Sequence, residues 1–171
     1  MRLALLALCY AFLLLAGLLW MDWLRSPNQC RMTYMYPSYI PFQRPKDSRY
    51  SMYLYREGRA GAKAATVEAA LAGGAGAPVL FVPGNAASYR QVRSLGAESE
   101  RLRGAGLGAS LDWFTADFDD ELCAFDGYLL RAQVAHVVRA ILEIQAAYRR
   151  AGRVRLVRVV LVGHSMGGLV A

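Results

Sequence analysis

Gly163-His164-Ser165-Met166-Gly167 is a G-x-S-x-G pentapeptide with a further glycine, Gly168, behind it, and the chemistry it could perform is nucleophilic attack by the serine. A free serine hydroxyl attacks poorly. It has to be held exposed beside a general base, with hydrogen-bond donors aimed at the oxyanion that its attack creates. The spacing suits a sharp strand-to-helix corner, where the serine backbone is strained and its flanks must be nearly free of side chains. Ser165 is therefore the candidate nucleophile, and Gly163 and Gly167 are the residues that permit the corner. The Met166 N–H, at the first turn of the following helix, is the first candidate oxyanion donor.

The partners of such a serine are harder to find. The loop Gly84-Asn85-Ala86 follows the apolar run Pro78 to Val82, which would form a strand beside the one leading to Ser165, so the backbone N–H groups of Asn85 and Ala86 are candidates for the second half of the oxyanion hole. Only two histidines are present. His164 lies on the strand side of the corner, with its ring expected to point away from the place a base must occupy. His136 falls far around its helix from the expected apolar stripe and reads as a solvated surface residue. In this motif the chain order is serine, then acid, then histidine, so the acid and base are expected beyond Ala171. The acidic run Asp117, Asp119, Asp120 and Glu121 reads as a solvated, helix-capping loop; no histidine or cysteine spacing supports a metal, and no cofactor is expected.

Several elements must position these groups. Val157 to Val162 reads as a buried strand entering the corner, and the continuous apolar run Pro78 to Val82 fits a parallel strand covered on both faces. Ser51 to Tyr55 and Leu111 to Ala116 are further strand candidates. Ser88 could cap a helix from about Tyr89 to Arg103. Between Tyr128 and Arg150 the residues Leu130, Val134, Val137, Val138, Ile141 and Gln145 recur at helical spacing, an amphipathic pattern that should pack on a sheet. Strand, helix, strand, helix, strand and corner make the front half of a parallel α/β sheet.

Composition adds a membrane element. The chain has 171 residues, 56% of them hydrophobic, and part of that excess is the uncharged run Leu3 to Met21, roughly 28 Å long as a helix and close to one bilayer core. Bulky Leu18, Leu19, Trp20 and Met21 stand where a cleavage site would need small residues, which favours an anchor over a cleaved signal peptide. The expected organisation is an anchor over residues 1–24, an extended lead-in and first strand over 25–57, an Ala/Gly-rich insertion over 58–77, and a partial hydrolase domain over 78–171. Net charge is +7, but the arginines are scattered and read as a solvated basic face, so no nucleic-acid partner is expected. Of three cysteines, Cys9 lies in the apolar run, leaving Cys30 and Cys123 as one possible pair among several.

The sequence resembles the N-terminal portion of the GPI inositol-deacylase family, of the α/β-hydrolase superfamily. The resemblance is carried by the hydrophobic N-terminus, Cys30 to Met35 with Tyr39, Tyr53 to Tyr55 with Glu57-Gly58, and Pro78 to Gly96 reading PVLFVPGNAASYRQVRSLG. It continues through Trp113-Phe114, Asp117-Phe118, Glu121-Leu122 and Gln133 to the run Val160 to Ala171. It implies a serine esterase of the endoplasmic-reticulum membrane that removes the fatty acyl chain from the inositol of GPI anchors, with Ser165 as nucleophile. The implied fold is the N-terminal half of an α/β-hydrolase sheet behind one transmembrane helix, with the soluble part lumenal. The implied partners are GPI-anchored proteins or GPI lipid, and the membrane. A fragment without acid and base should be inactive alone. The alternative is a non-catalytic, truncated hydrolase-like membrane protein.

Overall fold

The computed structural model describes residues 2–25, 34–42, 48–58, 64–72, 76–152 and 157–171. The chain divides into two compact units, Met1–Tyr34 and Met35–Ala171.

In the first unit the described residues include one helix, α1, Arg2–Arg25. Side chains are described over residues 6–21, and all are exposed, including Leu6, Phe12, Leu18 and Trp20. Among the described residues no helix is long and apolar enough to cross a membrane, so the expected span over 1–24 is not supported there.

The second unit is an α/β domain. Its elements in chain order are β1 (Pro37–Pro41), β2 (Ser51–Glu57), α2 (Val67–Ala72), β3 (Ala77–Val82), a 3₁₀ turn (Tyr89–Gln91), α3 (Val92–Gly104), β4 (Leu111–Asp117), α4 (Gly127–Arg150), β5 (Val160–Gly163) and α5 (Gly167–Val170). The strands form one sheet in the order β1-β2-β4-β3-β5. β4, β3 and β5 run parallel, whereas β2 is antiparallel to both β1 and β4. The α/β class is as expected, but the sheet is mixed rather than parallel. β1 lies in the stretch expected to be merely extended; its register, Tyr39 opposite Tyr55 and Ile40 opposite Leu54, places aromatic and aliphatic residues in cross-strand pairs.

Alternation along the strands builds two cores. Leu54, Leu80, Val82, Phe114 and Ala116 face one side with the α4 residues Val137, Ala140, Ile144, Ala147 and Tyr148, joined by Val67 and Leu71 of α2. Tyr55, Val79, Phe81 and Trp113 face the other side with Val92 of α3. Part of the Ala/Gly-rich insertion therefore closes the core. The possible Cys30–Cys123 pair involves residue 30, outside the described residues, and Cys123 is a buried free thiol.

Two further expectations give way. α4 buries Gln133, His136, Val137, Ala140, Ile144, Ala147 and Tyr148, while Val134, Val138 and Leu142 are exposed. The buried face is rotated from the expected apolar stripe. β5 is not a buried strand either. Among the described residues it pairs only with β3, and Val160 is 52% exposed.

Candidate active site

β3 and β5 lie side by side with Val82 opposite Gly163, so the chain leaves both strands at the same edge of the sheet. Beyond them the His164 N–H donates to the Val82 carbonyl at 3.0 Å, extending the pairing by one residue. The next residue, Ser165, turns into the left-handed region at φ 55°. A side-chain-bearing residue adopts that conformation only at a cost. Successive bonds then wind the chain into α5, from the Gly167 N–H to the His164 carbonyl (2.9 Å) and from the Gly168 N–H to the Ser165 carbonyl (3.0 Å).

The glycine spacing follows from how close the backbones run. A Cβ on Gly163 would lie 2.6 Å from the Gly167 carbonyl oxygen, and one on Gly167 would lie 2.2 Å from the Val82 carbonyl oxygen. Neither position has room for a methyl group. Gly84 belongs to the same contact set: its Cβ would sit 2.9 Å from the His164 carbonyl oxygen and 3.0 Å from the Ser165 Cβ. The loop after β3 thus presses directly against the serine corner, and Ser165 is left exposed between them.

The Gly84-Asn85-Ala86 loop is held from its far side. Asn85 Oδ1 accepts the Cys123 and Ala124 N–H groups at 2.7 and 2.9 Å. Ala86, itself left-handed at φ 48°, donates its N–H to the Glu121 carbonyl at 3.0 Å. Ala86 is therefore corrected as an oxyanion donor, since its N–H is already committed. Among the described residues the N–H groups of Asn85 and Met166 have no backbone acceptor.

The histidines stand as follows. His164 is exposed and contributes its backbone to the corner. His136 is only 7% exposed, not solvated. Its Nε2 contacts the Ser51 carbonyl at 3.1 Å, its ring packs edge-on against Tyr50 and Phe118, and its Nδ1 is buried without a partner. Burial pushes its pKa down, opposed by the Ser51 hydrogen bond and assisted by Arg139. Neither imidazole hydrogen-bonds to Ser165.

The acidic run divides into two environments. Asp119 and Asp120 are exposed, with φ of 59° and 51°, and Asp126 rather than these residues caps α4 through the Tyr128 and Leu129 N–H groups. Glu121, expected to be solvated, has a side chain only 9% exposed that pairs with Arg49 at 2.8 Å. The Tyr50 hydroxyl donates to the same carboxylate, as does Gln133 Nε2 at 3.5 Å. The sequence marked Glu121 as part of an acidic run but gave no sign of its pairing with Tyr50, because the two come together only next to the β2–β4 pairing.

Known proteins share much of this sequence. Residues 73–171 match the family model described as PGAP1-like alpha/beta domain. The chain is 40% identical over 165 residues to a protein of Phaeosphaeria nodorum named GPI inositol-deacylase, an alignment covering 83% of this chain and 15% of that one. It is 40% identical over 152 residues to the Drosophila melanogaster protein of the same name, covering 85% and 15%. With the Aspergillus oryzae GPI inositol-deacylase the identity is 44% over 142 residues, covering 72% and 12%. The chain thus spans about 15% of the length of these relatives. The family match takes in β3, the loop that presses on Ser165 and the whole glycine-flanked corner, and the chain belongs to the PGAP1-like alpha/beta domain family.

Proposed function

We propose that this chain supplies the nucleophile and the oxyanion donors of a serine esterase that removes the fatty acyl chain from the inositol of GPI anchors. The observation that carries the reading is Ser165 at φ 55°, exposed between glycines that have no room for a side chain and facing the loop after the adjacent parallel strand. The name shared by the relatives, GPI inositol-deacylase, supports the substrate.

In the proposed reaction Ser165 Oγ attacks the acyl carbonyl carbon and its proton passes to a histidine base. The carbonyl oxygen becomes an oxyanion, which accepts hydrogen bonds from the Met166 and Asn85 N–H groups. Collapse expels the inositol oxygen, which takes the proton back and leaves as an alcohol. Water then hydrolyses the acyl-serine and releases the fatty acid. The base is not supplied by either histidine of this chain through a hydrogen bond to Ser165.

The reading also places the protein in the endoplasmic-reticulum membrane, anchored through residues 1–24 with the second unit lumenal. A helix apolar all round, with every described side chain exposed, supports membrane attachment. The partners are GPI-anchored proteins or GPI lipid.

The test is release of fatty acid from inositol-acylated GPI by the protein expressed at its full natural length in membranes. Ser165→Ala should abolish release; unchanged release would remove Ser165 from the mechanism. Because no imidazole contacts Ser165, a second reading applies to these 171 residues by themselves: a hydrolase-like membrane protein without catalysis.

A further inference from the structure

We propose that Glu121 and Tyr50 are positioning residues for the oxyanion hole, acting through the loop that carries Asn85 and Ala86. The inference rests on the esterase reading above and concerns how its donors are held.

Two loops leave the same sheet edge, one after β3 and one after β4, and three hydrogen bonds lace them together. The Cys123 and Ala124 N–H groups donate to Asn85 Oδ1, and the Ala86 N–H donates in the opposite direction to the Glu121 carbonyl. The Asn85 side chain is thus a brace, which leaves its backbone N–H as the proposed donor. Bonds running both ways between short loops fix position and tilt together.

The β4 loop needs its own foundation, because Asp119 and Asp120 are both left-handed and exposed. Glu121 provides it. Its carboxylate is nearly buried and collects the Tyr50 hydroxyl, Gln133 Nε2 and Arg49. Tyr50 enters at the start of β2 and Gln133 from α4, so the carboxylate ties the loop to two rigid elements. Arg49 is 62% exposed, which leaves its pairing screened by solvent and the buried Tyr50 bond the stronger restraint. The Tyr50 hydroxyl is held protonated, as a donor, first by burial and then by its hydrogen bond to Glu121.

The argument for function rather than stability alone is precision. An oxyanion donor acts only within about 0.5 Å of the productive geometry, and loss of one donor lowers kcat by about 10²–10³. A loosened loop blurs the Asn85 N–H without removing it, so the expected effect is a partial loss confined to the transition state.

Three substitutions test this in the full-length membrane protein: Tyr50→Phe, Glu121→Gln and Asn85→Ala. The last keeps the backbone donor and removes only the brace. Each should lower kcat by about tenfold or more with KM within about threefold. Binding of a trifluoromethyl-ketone acyl analogue, which forms a tetrahedral adduct with Ser165, should fall by the same factor as kcat/KM. The Tyr50→Phe and Glu121→Gln losses should combine non-additively, because both act on one bond, the first by removing its donor and the second by removing the charge on its acceptor. Wild-type kcat in all three variants overturns the brace while leaving a Ser165-dependent esterase intact, as does a rise in KM with kcat unchanged. Activity that survives Ser165→Ala overturns the esterase reading instead. Should Glu121→Gln fail to fold, Tyr50→Phe and Asn85→Ala decide the matter.

Discussion

Ser165 holds a backbone conformation that most residues avoid, and the cost is separable from its chemistry. Ser165→Ala and Ser165→Gly both remove the hydroxyl, but only glycine relieves φ 55°. Ser165→Gly should therefore be more stable than Ser165→Ala by about 1 kcal/mol, measured by denaturant titration. The glycines differ in what they protect. Gly167→Ala would drive a methyl to 2.2 Å from the Val82 carbonyl oxygen, a backbone contact that cannot yield, and should destabilise the domain by about 3 kcal/mol. Gly84→Ala meets the His164 carbonyl oxygen at 2.9 Å and Ser165 Cβ at 3.0 Å; it should cost less stability than Gly167→Ala and displace the serine corner, visible as lost esterase activity together with a smaller fall in melting temperature. At this scale Gly163, Ser165 and Gly167 were legible from spacing alone. Glu121 and Tyr50 were not, since 71 residues separate them and the bond between them exists only after folding.

α4 shows where periodicity misleads. The expected stripe ran through Leu130, Val134, Val137, Val138, Ile141 and Gln145; of these Val137 is buried and Leu130 and Ile141 pack on the core, whereas Val134 and Val138 are exposed and the buried face takes in Gln133, His136, Ala140, Ile144, Ala147 and Tyr148. The buried imidazole has a measurable consequence. Its folded pKa is depressed below the usual 6.5, so below pH 6.5 the unfolded chain binds a proton that the folded one refuses. Stability should fall as pH drops from 6.5 toward the depressed value, and be unaffected by this group above 6.5. His136→Gln, which can still donate to the Ser51 carbonyl, should flatten that part of a stability-against-pH curve. Tyr148 offers a second test on the same helix. Its hydroxyl serves the Gly76 carbonyl and the buried Asp112, which also pairs with Arg56 at 2.9 Å. Tyr148→Phe should cost about 1–3 kcal/mol through the acceptors it strands.

For the molecule as a whole, the second unit presents a serine corner, and beside it the Gly84-Asn85-Ala86 loop hydrogen-bonded to the loop after β4, at one end of the parallel strands of a five-stranded sheet. Both histidines of the sequence are accounted for, and neither bonds to Ser165. A polypeptide of these 171 residues expressed by itself should consequently not be labelled at Ser165 by a fluorophosphonate probe, whereas the full-length protein should be labelled and Ser165→Ala should not. The sequence by itself determined the serine and its two glycines, the α/β class, most of the strands and the family, because these depend on short spacings and local apolar runs that survive without knowledge of neighbours. Tertiary structure alone decided that β2 runs antiparallel, that His136 is buried, that the Ala86 N–H is spent on the Glu121 carbonyl and that the Glu121 carboxylate meets Tyr50 and Gln133. Each of these depends on which distant segment packs alongside, and packing is a property of the folded sheet that no local pattern encodes.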